Sequence, residues 1–157
     1  MASIYTGWME RAFGELATRC IAPVVSDLAK RLDRPVVLVG LMGVGKSTVG
    51  RRLARRLGLP FVDSDAEIED AAGLSAAEVY ERYGESDFRD GERRLVARLI
   101  EGDVRVIATG GGAFVDSRTR ELLNQRAITV WLDAPVDILT ERTSRRDTRA
   151  QLRNGDP

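Results

Sequence analysis

The sequence contains no histidine, which removes histidine general bases, histidine partners of a nucleophile and histidine metal ligands together. Cysteine is almost as scarce. Cys20 stands alone, so an internal disulfide is excluded, and a zinc site would have too few ligands. A metal bound here would be a hard cation on oxygen ligands, such as magnesium. Lysine is confined to Lys30 and Lys46 among 24 basic residues, so the lysine at position 46 asks for a reason. Acidic residues also number 24, and the balanced charge argues against a broad nucleic-acid footprint. No apolar run approaches the roughly 18 residues of a membrane span. Glu10, Arg11 and Glu15 interrupt the stretch a secretory signal would need. No nucleic-acid or membrane partner is expected, and a reducing, cytoplasmic setting follows from the cysteine usage.

What is present is a chain of 157 residues, 43% apolar and 31% charged, sized for one globular domain. The all-apolar run at 36–40 behind Pro35 reads as a strand buried on both faces. A helix is expected from Lys46 to Leu57, with Val49, Leu53, Ala54 and Leu57 on its apolar stripe and Gly58 and Pro60 ending it. By contrast, Arg51, Arg52, Arg55 and Arg56 read as its solvated face. Phe61–Asp63 reads as a second strand, and a helix over 66–72 follows it. Ser75 and Glu78 have capping-box spacing for a helix ending near Gly84. Phe88, Glu92, Leu95 and Leu99 share one side of the next helix. Val104 to Ala108 is a third strand, Leu122 and Leu123 belong to a further helix, and Ile128 to Leu132 is a fourth strand. Pro135 opens a last helix running to about Arg142. This alternation predicts an α/β layer fold with a mostly parallel sheet, whose ligands gather beyond the carboxyl ends of the strands. Residues 1–34 differ. Met9, Phe13, Leu16, Cys20, Val24 and Leu28 recur at helical spacing, which suggests an amphipathic helix, bent near Pro23 and packed on the core or on a second subunit.

Gly40-Leu-Met-Gly43-Val44-Gly45-Lys46-Ser47 matches the phosphate-binding pattern G-x-x-x-x-G-K-[ST] in full. Glycines let the backbone wrap phosphate and aim N–H groups inward, while the helix N-terminus behind adds its dipole. Lys46 supplies a mobile charge to the outer phosphates and Ser47 a hydroxyl for magnesium. The motif says nucleoside triphosphate but not what receives the phosphate.

The other strand ends address that. Asp63 and Asp65 lie one residue apart after the second strand. Asp63 suits a magnesium-bound water, and Asp65 suits an acceptor hydroxyl that it would orient or deprotonate. N-capping the next helix is the structural alternative for either one. Arg89 beside Phe88 suits a small carboxylate, with a surface ion pair as its structural alternative. Gly110-Gly111-Gly112 directly after a strand favours close approach of a ligand. Arg142 to Arg153 holds five arginines against Asp147 and reads as a basic lid over phosphates, with a solvated charge run as its alternative.

Taken together, Gly-Leu-Met-Gly-Val-Gly-Lys-Ser-Thr at 40–48, Asp-Ser-Asp at 63–65, Gly-Glu-Ser-Asp-Phe-Arg at 84–89, Thr-Gly-Gly-Gly at 109–112 and the segment 148–157 resemble shikimate kinase. That family is part of the nucleoside-monophosphate-kinase-like group of P-loop proteins, and the resemblance covers about residues 35–157. It implies a three-layer fold and transfer of the γ-phosphoryl of ATP to the 3-hydroxyl of shikimate. Gly43, Val44, Gly45, Lys46, Ser47 and Thr48 would wrap the ATP phosphates, with Ser47 and Asp63 at Mg2+. Asp65 would contact the shikimate hydroxyls as candidate base. Arg89, Gly111 and Gly112 would hold the substrate, Glu92 would orient Arg89, and Tyr80 and Phe88 would wall the pocket. Arg142 would stack on adenine, and Arg149 would be the lid arginine that closes on the phosphates. The partners implied are shikimate and ATP or ADP, with a monomer favoured and self-association through residues 1–34 as its alternative.

The resemblance has departures. The lid reads Arg149-Ala150-Gln151-Leu152 where the family has Arg-Pro-Leu-Leu, which predicts a looser, less apolar lid. The sequence stops at Pro157, where the family continues with a second carboxylate-binding arginine, a fifth strand and a last helix, so four strands and a missing tail are expected. Two other readings stand beside it: another small-molecule kinase of the same machinery, such as a gluconate kinase, and a non-catalytic ligand-sensing domain.

Overall fold

The computed structural model describes residues 27–144. Residues 1–26 and 145–157 lie outside the described residues, and with them most of the N-terminal apolar stripe, Arg149, Ala150, Gln151 and the rest of the expected lid. In chain order the elements are β1 (Val36–Val39), α1 (Lys46–Leu57), β2 (Phe61–Asp63), α2 (Ser64–Ala72), α3 (Ala76–Glu101), β3 (Val106–Ala108), α4 (Ser117–Arg126), β4 (Ile128–Trp131) and α5 (Val136–Ser144). The four strands form one sheet in the order β2-β3-β1-β4, and all its pairings are parallel.

Strand alternation sorts β1 between two cores. Val36 and Leu38 pack with Ala54 and Leu57 of α1, and Ala29 and Leu32 join that cluster from the segment before the sheet. Val37 and Val39 face the other way, toward Val96, Leu99 and Ile100 of α3 and Leu123 of α4. Helices therefore cover both faces, which is the three-layer α/β arrangement. It explains why β1 is apolar at every position. The only described residue of the N-terminal stripe, Leu28, is half exposed.

Several boundaries differ from the sequence reading. β1 ends at Val39 because Gly40 begins the loop, and β3 begins at Val106 after a turn in which Arg105 Nε donates to the Asp103 carbonyl at 2.9 Å. β4 ends at Trp131, although the Leu132 amide still reaches the Val39 carbonyl at 2.8 Å. α5 runs to Ser144. In α1 the buried face is Lys46, Gly50, Ala54 and Leu57, and Val49 is exposed. The stripe is rotated because Phe61 packs where a side chain at position 50 would stand, its Cε2 lying 2.5 Å from that point. The arginine face of α1 is exposed as expected, with Arg51 over the Phe61 ring at 5.4 Å. The capping box at Ser75 and Glu78 is formed in both directions. Gly84 breaks the helical backbone with φ 82° and ψ 169°, so α3 is two helices joined at a kink.

Candidate functional site

The loop after β1, the turn after β2 and the glycine run after β3 meet at one end of the sheet. Gly45 is the N-cap of α1 with φ 96°, a conformation in which an ordinary side chain is strained, so the motif's last glycine lets the loop turn into the helix. Lys46 is buried, and its ammonium donates to the carbonyls of Gly40 at 2.7 Å and Leu41 at 3.0 Å. Val44 is buried beneath the loop and Thr48 is exposed. Arg142 Nη1 approaches the Gly43 carbonyl at 3.4 Å, so α5 leans on the outer rim of the loop.

Asp63 does two jobs at once. Its Oδ2 accepts from Ser47 Oγ at 2.5 Å, and its Oδ1 accepts from the Asp65 amide at 3.2 Å, which caps α2. The capping alternative is thus realised in this side chain, which also reaches Ser47 of the phosphate motif. Because Asp63 caps, α2 starts at Ser64, two residues earlier than the sequence suggested, and Asp65 falls in its first turn. A cavity of about 70 Å³ joins Gly43, Lys46, Ser47, Asp63, Asp65 and Thr109, so both aspartates share one cleft with the phosphate motif.

The cleft's donors are hydroxyl, carboxylate and backbone N–H groups, which suit a magnesium-bound triphosphate. Among the described residues no three His, Cys, Asp or Glu side chains gather in a metal cage.

The second half of the site is built on α3. Phe88 is buried, and Tyr80 meets it edge-on with ring centroids 5.6 Å apart. Arg89 lies near the Phe88 ring, at 5.4 Å, and its Nη1 donates to Glu92 Oε2 at 2.8 Å. Glu85 stands 3.8 Å from Arg89 Nε on the solvent side. Glu92 is 2% exposed, and its Oε1 has no hydrogen-bond partner. Burial pushes the Glu92 carboxyl above the usual carboxylate range, against the opposing pull of the Arg89 guanidinium. Gly111 packs against Met42 of the phosphate loop, and Gly112 lies under the Arg89 guanidinium, whose Nη2 is 2.4 Å from where a Cβ would stand.

The structure therefore gathers Lys46, Ser47, Asp63 and Asp65 in one cleft and Tyr80, Phe88, Arg89, Glu92 and Gly112 in an adjoining group. Two residues that the sequence did not single out belong at the seam: Gly110, read only as part of the glycine run, and Ser64. A Cβ on Gly110 would stand 2.5 Å from Glu92 Oε1 and 2.7 Å from Asp65 Oδ1, so this glycine is where the two halves touch. The Gly110 amide donates to Ser64 Oγ at 3.1 Å. The glycine run was the available signal for the first, and the serine between two aspartates for the second.

Comparison with known proteins gives a consistent picture. Residues 42–157 match the family model described as Shikimate kinase. A shikimate kinase of Caulobacter vibrioides (strain NA1000 / CB15N) is 56% identical over 134 residues, which are 85% of this chain and 67% of that protein. Among solved structures, shikimate kinase from Acinetobacter baumannii in complex with shikimate is 42% identical with a TM-score of 0.73, over 77% of this chain and 69% of the other. A gluconokinase from Sinorhizobium meliloti 1021, 21% identical with a TM-score of 0.50 over 72% of this chain and 65% of the other, shares the fold alone. The chain spans about two thirds of the length of these relatives.

Proposed function

The chain belongs to the shikimate kinase family, and from that premise we propose that its two adjoining groups of side chains act as one phosphoryl-transfer site. The family's reaction is the phosphorylation of shikimate by ATP with Mg2+, a step of aromatic amino-acid biosynthesis. The observation that carries the residue-level reading is the single cleft holding Lys46, Ser47, Asp63 and Asp65, with Arg89 next to it.

In this reading the loop amides and Lys46 grip the triphosphate, and Arg142 borders the nucleotide at the rim. Ser47 and Asp63 would hold the magnesium ion, which would supply positive charge against the phosphate oxygens. Arg89 binds the shikimate carboxylate through its planar fork, steadied by Glu92 and set against Phe88 and Tyr80. Gly111 and Gly112, which make room for Met42 and the Arg89 guanidinium, present their backbone to the substrate. Asp65 receives the proton of the 3-hydroxyl as that oxygen attacks the γ-phosphorus, and ADP leaves with the bridging oxygen. Most of the rate enhancement then comes from positioning and charge stabilisation. In this reading the chain acts as a monomer in the cytoplasm.

Titrating shikimate and gluconate into the chain with Mg-ADP, followed by ADP release with Mg-ATP, tests the reading. Selective binding of shikimate is expected. Binding of gluconate in its place, or indifference to both, overturns it. Asp65→Asn should lower kcat by on the order of 10²-fold; a parent-like kcat would reduce Asp65 to a binding group.

A further inference from the structure

We infer that Ser64, the residue between the two aspartates, is a positioning residue for Asp65: its hydroxyl takes the place of a missing rung of the sheet and locks Asp65 against Gly110. The purpose given to Asp65 rests on the kinase reading, whereas the lock itself rests on geometry alone.

β2 and β3 pair in parallel through their last residues, Asp63 and Ala108. The two chains then part. β2 turns straight into α2, so no backbone carbonyl of an extended strand continues beside β3. On the other side, the Leu38 carbonyl of β1 is taken by Thr109, which donates to it through its amide at 3.2 Å and its hydroxyl at 3.1 Å. The next amide, that of Gly110, is buried and needs an acceptor. Ser64 Oγ supplies it at 3.1 Å from the first residue of α2, and Ser64 is fully buried there. A side-chain oxygen thus extends the β2–β3 pairing by one step after the strand has become a helix.

The consequence falls on the neighbouring residue. Asp65 Oδ1 lies within 2.7 Å of the place a Gly110 Cβ would occupy, and Glu92 Oε1 within 2.5 Å of the same point. Ser64 grips the amide of Gly110 while Asp65 lies against its α-carbon, so the two contacts close a short loop across the seam. Three consecutive side chains divide the work. Asp63 accepts from Ser47 and caps the helix, Ser64 holds Gly110, and Asp65 lines the cleft. Without the serine oxygen, the Gly110 amide would have to move toward water or another acceptor, and the alignment of Asp65 with the glycine run would go with it.

The test compares Ser64→Ala with the hydroxyl-retaining Ser64→Thr in the full chain. Amide exchange should show Gly110 opening about tenfold faster in Ser64→Ala, with the Thr109 amide unaffected. Its crystal structure should show the Asp65 carboxylate displaced from Gly110 by about 1 Å or more. Shikimate affinity should fall about fivefold or more while Mg-ADP affinity stays within about twofold, and Ser64→Thr should restore Gly110 protection and shikimate affinity. Unchanged Gly110 protection, an unmoved Asp65, or equal weakening of both ligands overturns the inference, the last by making the serine a general stabiliser. If the parent chain binds no shikimate, the functional reading falls, and exchange and crystallography still decide the lock. If Ser64→Ala does not fold, Ser64→Cys, a weak acceptor of similar size, replaces it in the same measurements.

Discussion

An alanine at position 110 would place its Cβ 2.5 Å from Glu92 Oε1 and 2.7 Å from Asp65 Oδ1, well inside carbon–oxygen contact distance. The Gly110 backbone does not have positive φ, so the collision and not the backbone is what alanine suffers. Neither oxygen retreats freely. Glu92 is 2% exposed and its other oxygen is tied to Arg89, while Asp65 sits on a helix capped by Asp63. Overpacking of this kind costs roughly 1–3 kcal/mol. At roughly 2–4 °C per kcal/mol for a chain of this size, Gly110→Ala should lower Tm by about 2–12 °C. The damage should also be selective. The phosphate loop is not in the collision, so Mg-ADP affinity should hold within about twofold while shikimate affinity falls about tenfold or more. Thermal unfolding by circular dichroism and calorimetric titration of each ligand measure the two effects. A variant with the parent's Tm and the parent's shikimate affinity would show that Asp65 and Glu92 do not converge on this glycine.

Lys46→Met removes the one ammonium in the phosphate cleft together with its bonds to the Gly40 and Leu41 carbonyls, so Mg-ATP affinity should fall by at least about tenfold in calorimetry; near-parent affinity would remove the nucleotide assignment of the loop. Arg89→Lys should raise KM for shikimate more than it lowers kcat, because a point charge cannot copy a bidentate fork and also reach Glu92. Steady-state kinetics with an unmoved KM would put the carboxylate elsewhere. Glu92→Gln should alter the dependence of stability on pH. Burial raises the folded-state pKa of Glu92, so the native chain retains a proton that the unfolded chain releases. The parent therefore loses stability as pH climbs from about 4.5 through the raised value. Glutamine cannot titrate, so the variant's stability relative to the parent should improve steadily across that window in urea melts. A pH-independent difference would mean that Glu92 ionises as it does in water.

The phosphate loop was legible because its chemistry is written in consecutive residues, where glycines, lysine and serine must be neighbours to do their work. The helix start at Ser75 was legible for the same reason, since both bonds of its capping box span three residues. Other, misplaced features depend on partners farther away in sequence. Val49 is a better hydrophobe than Gly50, yet Gly50 faces the core because Phe61, from the next strand, needs the space. The start of α2 moved because Asp63 serves Ser47 and the helix cap together, two uses that look like competing alternatives on paper. Gly110 and Ser64 show the limit most sharply. In the sequence, one is the first of three equivalent glycines and the other a small polar residue between two more conspicuous ones. Only the parallel pairing of β2 with β3 brings them together and leaves one amide without a backbone acceptor. Local pattern reveals which chemical groups a strand end carries. Which of them must hold the others still depends on the hydrogen bonds left over when the strands separate, and these belong to the fold.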